Sequence, residues 1–216
     1  MPTIIEKTVY SFNELSESAK DTARDWYRSG DDMDFAAEHV IEDAATIADI
    51  LGIELRTRPV KLIGGGTLYE PCIYYSGFWS QGDGACFKGD YRYRKGALNA
   101  LRAHIGGESK GDKELLRIAK GLQTVQSKYF YSLRADMHHS GHYMHSGCMR
   151  VNVDYLRDDS RDISEAEDAI TEYMRDFSDW IYKQLEAAYD YHNSNEVVDE
   201  NIICNEYDFD ENGKRI

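Results

Sequence analysis

The stretch IELRTRPVKLIGGGTLYEPCIYYSGFWSQGDGACFKGDYRYR, residues 53 to 94, carries the fold class. Through IELRTRPVKLI, TLYEPCIYYSGF and ACFKGDYRYR, polar and apolar residues alternate. That two-residue period sends successive side chains to opposite faces of a strand. The triple glycine at 64 to 66 breaks the first run, and SQGDG at 80 to 84 reads as a hairpin or an open loop.

Outward from this stretch the period lengthens. Upstream, Ser11 and Glu14 in SFNE form a capping box, and Leu15, Ala19, Ala23 and Trp26 follow at helical spacing, which predicts a helix over about 12 to 28 ended by Ser29 and Gly30. A second helix is predicted from about 33 to 51, with Phe35, Val40, Ala44, Ile47 and Leu51 on one stripe. Downstream, LNALRAHI and DKELLRIAKGLQTVQSK are helical by pattern and are split by GGESKG. The period of two returns at YFYSLRADMHH (129 to 139) and CMRVNVDYL (148 to 156). A second capping box, Ser164 to Glu167, opens a run in which Ile163, Ala166, Ile170, Tyr173, Phe177, Ile181, Leu185 and Ala188 form one stripe of a helix of roughly 28 residues. A shorter helix over about 195 to 204 precedes NEYDFDENGKRI, where Tyr207 and Phe209 suit an edge strand.

The pattern gives one α+β domain over 1–216. Two strand pairs, about 53–93 and 128–156, build an antiparallel sheet packed against helices, with a long helix near the C-terminus. Three prolines and no Ser/Pro-rich linker argue against a split into two domains. Pseudo-repeat halves, 1–95 and 96–160, are suggested by an α-β-β order seen twice, with 161–216 as a C-terminal helical segment.

With 42% hydrophobic and 12% aromatic residues the chain has material for a core. A formal charge of -14 repels phosphate backbones, which excludes ordinary nucleic-acid binding and favours basic partners. The acids gather at DDMD with Glu38, Glu42 and Asp43, at 158 to 168, and in NEYDFDE. No apolar run nears the roughly 18 residues of a membrane span, and MPTIIEKTVY lacks signal-peptide features, so the expectation is a cytoplasmic protein without a membrane partner. Cys72, Cys86, Cys148 and Cys204 are widely spaced, and free, mostly buried thiols are expected.

One element is written twice. Tyr75 to Phe87 spells YSGFWSQGDGACF, and His139 to Met149 spells HSGHYMHSGCM. Ser76, Gly77, Phe78, Trp79 and Gln81 align with Ser140, Gly141, His142, Tyr143 and His145. Glycine lets the backbone turn or approach closely, rings supply flat walls, and Ser, Gln, Asp83 and His supply polar contacts. The expected ligand site therefore comprises Ser76, Gly77, Phe78, Trp79, Gln81, Asp83, Ser140, His142, Tyr143 and His145, with both loops building it. Three histidines, His138, His142 and His145, with Asp136 or Asp83 nearby, are the weak metal candidates. Neither HxxxH on a helix nor CxxC is present, and in an extended strand residues 138 and 139 point to opposite faces, so neither a metal nor another cofactor is assigned. No catalytic residue is assigned either: GxSxG and a P-loop are missing, and Cys86 and Cys148 fall on strands expected to face the core. The enzymatic alternative is a His145 base with Asp83.

VYSFNELSESAKDTARDWYR, IYYSGFWSQGDGACFKGDYRY, HHSGHYMHSGCM and DENIICNEYDFDENGKR together resemble a group of small proteins of bacteriophages and mobile elements. Some members carry the label "antitoxin of toxin-antitoxin stability system". The resemblance implies a setting in the host cell cytoplasm and a counter-defence role: binding and inhibiting a host protein with the acidic surface, or capturing a small nucleotide-like ligand in the glycine and aromatic loops. Alternatives are a small metal-assisted or His/Asp-dependent enzyme on a nucleotide-like substrate, and an antitoxin-like protein partner.

Overall fold

A computed structural model describes residues 7–30, 34–106, 110–157 and 160–216, those at 34, 35 and 110–112 by backbone only. Asp31, Asp32, Asp158 and Asp159 of the acidic clusters, the Phe35 side chain and the glycine break at 107–109 lie outside the described residues. In chain order the elements are β1 (Tyr10–Ser11), α1 (Glu17–Gly30), α2 (Asp34–Leu51), β2 (Ile53–Leu55), β3 (Thr57–Lys61), β4 (Thr67–Pro71), β5 (Ile73–Ser76), β6 (Gly84–Phe87), β7 (Gly89–Arg92), α3 (Ala97–Ile105), α4 (Lys110–Lys128), β8 (Leu133–His139), β9 (Met149–Tyr155), α5 (Ser164–His192), α6 (Asn195–Cys204) and β10 (Asp208–Phe209). The chain is α+β, every described strand pair is antiparallel, and α5 is the long helix near the C-terminus. It divides into two compact units, Met1–Ala37 with Ala187–Ile216, and Glu38–Glu186.

In the first unit the Ser11 and Glu14 box forms, with Ser11 N–H donating to Glu14 Oε2 at 2.9 Å. Leu15 is extended, however, so the box closes only a single 3-10 turn at Phe12–Glu14, and α1 begins at Glu17 rather than near 12. Phe12, Leu15, Ala19 and Ala23 pack with Val198, Ile202 and Phe209, and β1 pairs with β10 in the edge position expected of Phe209. Arg24 holds Asp199 through two bonds, Nε at 2.6 Å and Nη2 at 2.7 Å, the bidentate geometry that fixes α1 against α6.

In the second unit β2, β7, β8 and β9 form one sheet in that order. One face is apolar, with Ile53, Tyr91, Leu133, Ala135, Met137, Met149, Val151, Val153 and Tyr155 buried; the other carries Glu54, Arg92, Arg134, His138, Arg150, Asn152 and Asp154 in the open. Among the described residues β3 pairs only with β4, and β5 only with β6, each as a hairpin of its own. What reads in sequence as long strands is thus bent at Arg56, Cys72 and Lys88. These three close a ring of backbone bonds: Arg56 N–H to Lys88 O (2.9 Å), Lys88 N–H to Cys72 O (2.9 Å) and Cys72 N–H to Arg56 O (2.7 Å). Each residue leaves its own ladder without orphaning its polar groups, because the other two satisfy them. Six strands separate α2 from α3, against two between α4 and α5.

Two expected boundaries move. Phe130 and Tyr131 take left-handed φ of 55° and 59°, and Tyr131 N–H returns to Gln126 O at 2.7 Å, so α4 ends in a tight reversal and β8 starts at Leu133 instead of 129. At α5 the capping side chain is Asp162, which accepts from Ser164 N–H (3.0 Å) and Oγ–H (2.6 Å), in place of the Ser164 to Glu167 box. Phe177 of α5 then packs edge to face on Phe87 of β6, with ring centroids 5.6 Å apart.

Candidate functional site

The first Ser-Gly loop, 77 to 83, is the connection of the β5–β6 hairpin. Asp83 organises it from within: its Oδ2 accepts the backbone N–H of Trp79 (3.0 Å) and of Ser80 (2.6 Å). Gly77 makes room for that carboxylate, since a Cβ there would lie 2.8 Å from Asp83 Oδ2. Beneath the loop, Phe78 lies between Tyr75 and Tyr182, stacked at 6.4 and 5.7 Å. Helix α5 supplies two polar anchors: Tyr182 Oη–H donates to Gly77 O at 3.0 Å, and buried Ser178 Oγ–H to Ala85 O at 2.6 Å. Burial first, and then the negative charge of Glu186 and Asp83, push the Tyr182 hydroxyl above the usual tyrosine range, so it remains a donor.

The second loop, 140 to 148, joins β8 to β9. Buried His139 hydrogen-bonds Tyr143 O through Nε2 at 2.9 Å, and His145 Nδ1 accepts Gly147 N–H at 2.9 Å, which opens the 3-10 turn Ser146–Cys148.

The two loops touch although their hairpins belong to different sheets. At Gly82, where φ is +98°, an added Cβ would stand 3.1 Å from the Tyr143 ring; at Gly84 it would stand 2.9 Å from Met144 O and 3.1 Å from His145 Cα. Below them Cys86 Sγ lies 3.9 Å from Met144 Sδ, and the rings of Tyr74 and His139 are 6.2 Å apart. At Gly84 the backbone of the other loop leaves little room for a side chain, and at Gly82 the left-handed φ itself favours glycine. Around this junction Trp79 and Tyr143 are 76% and 62% exposed, and Gln81, Ser140 and His142 are also open to solvent, while Ser76 is half-buried at the end of β5. Such exposure makes the rings a raised surface and leaves no closed pocket walled by both.

Several expected roles change. His138 does not join the loops: it stands on the open face of the sheet, paired with Asp136 through Nε2, with Arg56 Nη1 3.3 Å from its Nδ1. Arg56 also binds Asp136 at 2.5 Å and approaches Asp90 at 3.6 Å. Because a guanidinium can only donate, His138 Nδ1 is the acceptor and its Nε2 carries the proton toward Asp136, so both ring nitrogens are engaged. Among the described residues no three His, Cys, Asp or Glu side chains gather as a metal site. His142 turns to Tyr143, its ring 5.6 Å away, and His145 serves its own turn. The proposed base and its partner are likewise committed elsewhere, Asp83 to backbone donors of one loop and His145 to one of the other. Cys86 is buried, and burial pushes its thiol up to about 12; Cys148, expected to face the core, is exposed on the 3-10 turn.

What the residue patterns missed is the part played by α5. Asp168, Thr171, Glu172, Arg175, Asp176 and Asp179 line a hollow of about 460 Å³ together with His145, Ser146 and Gly147. Asp176 is neutralised by Arg117 at 2.5 Å, whereas Asp168, Glu172 and Asp179 point outward on the exposed side of the helix. With Arg175 they form one row at spacings of four, three and four residues, three acids and one arginine, so a strip of net negative charge runs beside the second loop. Its signal in the sequence was the polar side of a helix read for its apolar stripe.

Residues 37–195 match the model of a family described as a domain of unknown function (DUF8835). No curated protein and no solved structure matches the chain.

Proposed function

We propose that this chain, which belongs to the family described as a domain of unknown function (DUF8835), is a non-enzymatic binding protein that docks onto a basic protein surface through its joined Ser-Gly loops and the acidic row of α5. The observation that carries this reading is the contact between the loops, which presents Trp79 and Tyr143 outward on a junction braced from below. Rigid, exposed aromatic residues are the usual energetic centre of a protein interface, and neighbouring charge sets partner choice and encounter rate. Asp168, Glu172 and Asp179 beside them, within a chain of charge -14, complement a surface of the sort that nucleic-acid-binding proteins present. The resemblance to bacteriophage and mobile-element proteins makes that partner a component of host defence. Enzymatic action draws less support, because Asp83 Oδ2 and His145 Nδ1 each accept backbone N–H groups of their own loop.

The test is co-purification from host lysate, identification of the captured protein, and titration of that purified protein against variants. W79A and the triple reversal Asp168→Lys, Glu172→Lys, Asp179→Lys should each weaken binding by about tenfold or more, and salt should weaken the wild type more than the reversal. Release of a nucleotide-like molecule on denaturation, with its retention lost in W79A, would replace this reading with ligand capture. Partner affinity unaffected by either variant rejects both.

A further inference from the structure

We infer that the chain pairs with a second copy of itself through the outer edge of β9, strand against strand, about a twofold axis at Asn152. β9 is the last strand of the four-stranded sheet and, among the described residues, pairs on one side only, with β8. MRVNVDY contains no proline and no lysine, its seven consecutive partners in β8 leave no bulge, and its two charges, Arg150 and Asp154, are of opposite sign, so among the described residues nothing in the strand itself bars a second strand.

The register of the pairing is fixed by two independent conditions. The first is direction. Leu156 N–H bonds Ser132 O at 2.8 Å, so in the alternation of an antiparallel ladder the even residues Asp154, Asn152 and Arg150 bond β8, and Met149, Val151, Val153 and Tyr155 turn their backbone groups outward. Tyr155 N–H is held by the Asp154 carboxylate at 2.8 Å, and Val151 and Val153 are left as the centre of the free edge. Only registers that place odd residues opposite odd residues can form bonds. The second condition is charge. With the axis at Asn152, Val151 faces Val153 of the second copy, and on the open face Arg150 stands opposite Asp154 while Asn152 meets its own equivalent. Moving the axis to Val151 or Val153 keeps the backbone bonds but separates Arg150 from Asp154.

The sequence of the edge is therefore self-complementary when read antiparallel. Arg150 has reason to seek an acid, since across its own ladder it faces His138, which is committed to Asp136. Asp154, already near Arg134 at 3.2 Å, would lie between two arginines. At each end exposed Cys148 comes to exposed Leu156 of the other copy. The result is an eight-stranded sheet with one continuous polar face.

Sedimentation equilibrium of the full chain over a concentration series tests this. A strand edge buries little area, so the dissociation constant is expected on the order of 10–100 µM. R150D and D154R should each weaken the dimer roughly tenfold, because two symmetric attractions become two repulsions, and R150D/D154R should restore it. Under oxidation N152C should cross-link to a covalent dimer beyond the wild-type background, since residues facing across the axis come close, and D154C, whose equivalents lie apart, should not. A chain that stays monomeric at about 1 mM overturns the inference. So does a dimer indifferent to both reversals, or one that cross-links equally through D154C.

Discussion

Substituting alanine for Gly84 tests whether the two Ser-Gly loops share one surface. Gly84 opens β6, is buried, and has no left-handed φ, so alanine there suffers no backbone strain and meets only its surroundings. Those surroundings are the other loop: Met144 O at 2.9 Å and His145 Cα at 3.1 Å from the new methyl. Carbon normally keeps about 3.3–3.6 Å from such an oxygen, so the backbone at 144 and 145 must retreat by about half an ångström. Overpacking of this kind costs about 1–3 kcal/mol, and the stiffer unfolded chain returns about 0.4–1 kcal/mol, leaving a net loss near 1–2 kcal/mol. In a unit of this size that corresponds to a fall in Tm of about 2–8 °C. The control is G64A, at a position with open space and no left-handed φ, which should be neutral or slightly stabilising. Urea and thermal unfolding by circular dichroism measure both, and partner binding by G84A should fall although Trp79 is untouched. A G84A protein as stable as G64A refutes the contact between the loops and with it the proposed site.

Thiol labelling of the native protein should find Cys148 and Cys204 reactive at pH 8, and Cys72 and Cys86 reactive only after unfolding, because the latter pair is buried. Since burial raises the Cys86 thiol from its ordinary 9.0 to about 12, the folded state holds a proton that the unfolded state gives up, so this contribution is intact below pH 9 and fades as pH climbs toward 12. An alkaline stability profile that C86A does not flatten contradicts this. Q126A should cost about 2–4 kcal/mol in urea unfolding. Gln126 is fully buried, donates from Nε2 to Leu133 O at 2.9 Å and accepts from Leu133 N–H at 3.3 Å, standing in for the strand residue that β7 lacks beyond Arg92. A loss below about 1 kcal/mol means these bonds are not made in solution.

The fold class was legible because period is a local property. Met149 to Tyr155 alternates in burial residue by residue, and the stripe from Ala166 to Leu185 is buried along α5, as spacing alone predicts. Boundaries were less legible, because they depend on groups that periodicity does not weigh. The Ser11 box is real, but an extended Leu15 stops its helix; Ser164 looks like a cap, but Asp162 reaches the same donors first. The bends at Arg56, Cys72 and Lys88 are invisible to pattern. Pro71 and Gly89 flank two of the three, but nothing local marks Arg56, and each bend is satisfied by two residues distant in sequence that complete its hydrogen bonds.

The site was legible to a similar depth. The two Ser-Gly loops come into contact at Gly82 and Gly84, yet the reason they meet is not the symmetry that the repeat implied. The hairpins come from separate sheets and are brought together over α5. Ser178 and Tyr182, four residues apart, anchor the first loop, and the row from Asp168 to Asp179 runs past the second. Ser178 interrupts an apolar run, where a buried hydroxyl needs a partner and backbone carbonyls of whatever packs against the helix are the most available; half-buried Tyr182 reaches a second carbonyl one turn on. A serine and a tyrosine on the apolar stripe of a long helix therefore carry the information that the loop motifs lack: they mark which turn of α5 holds the loop, and hence which acidic side chains lie next to it.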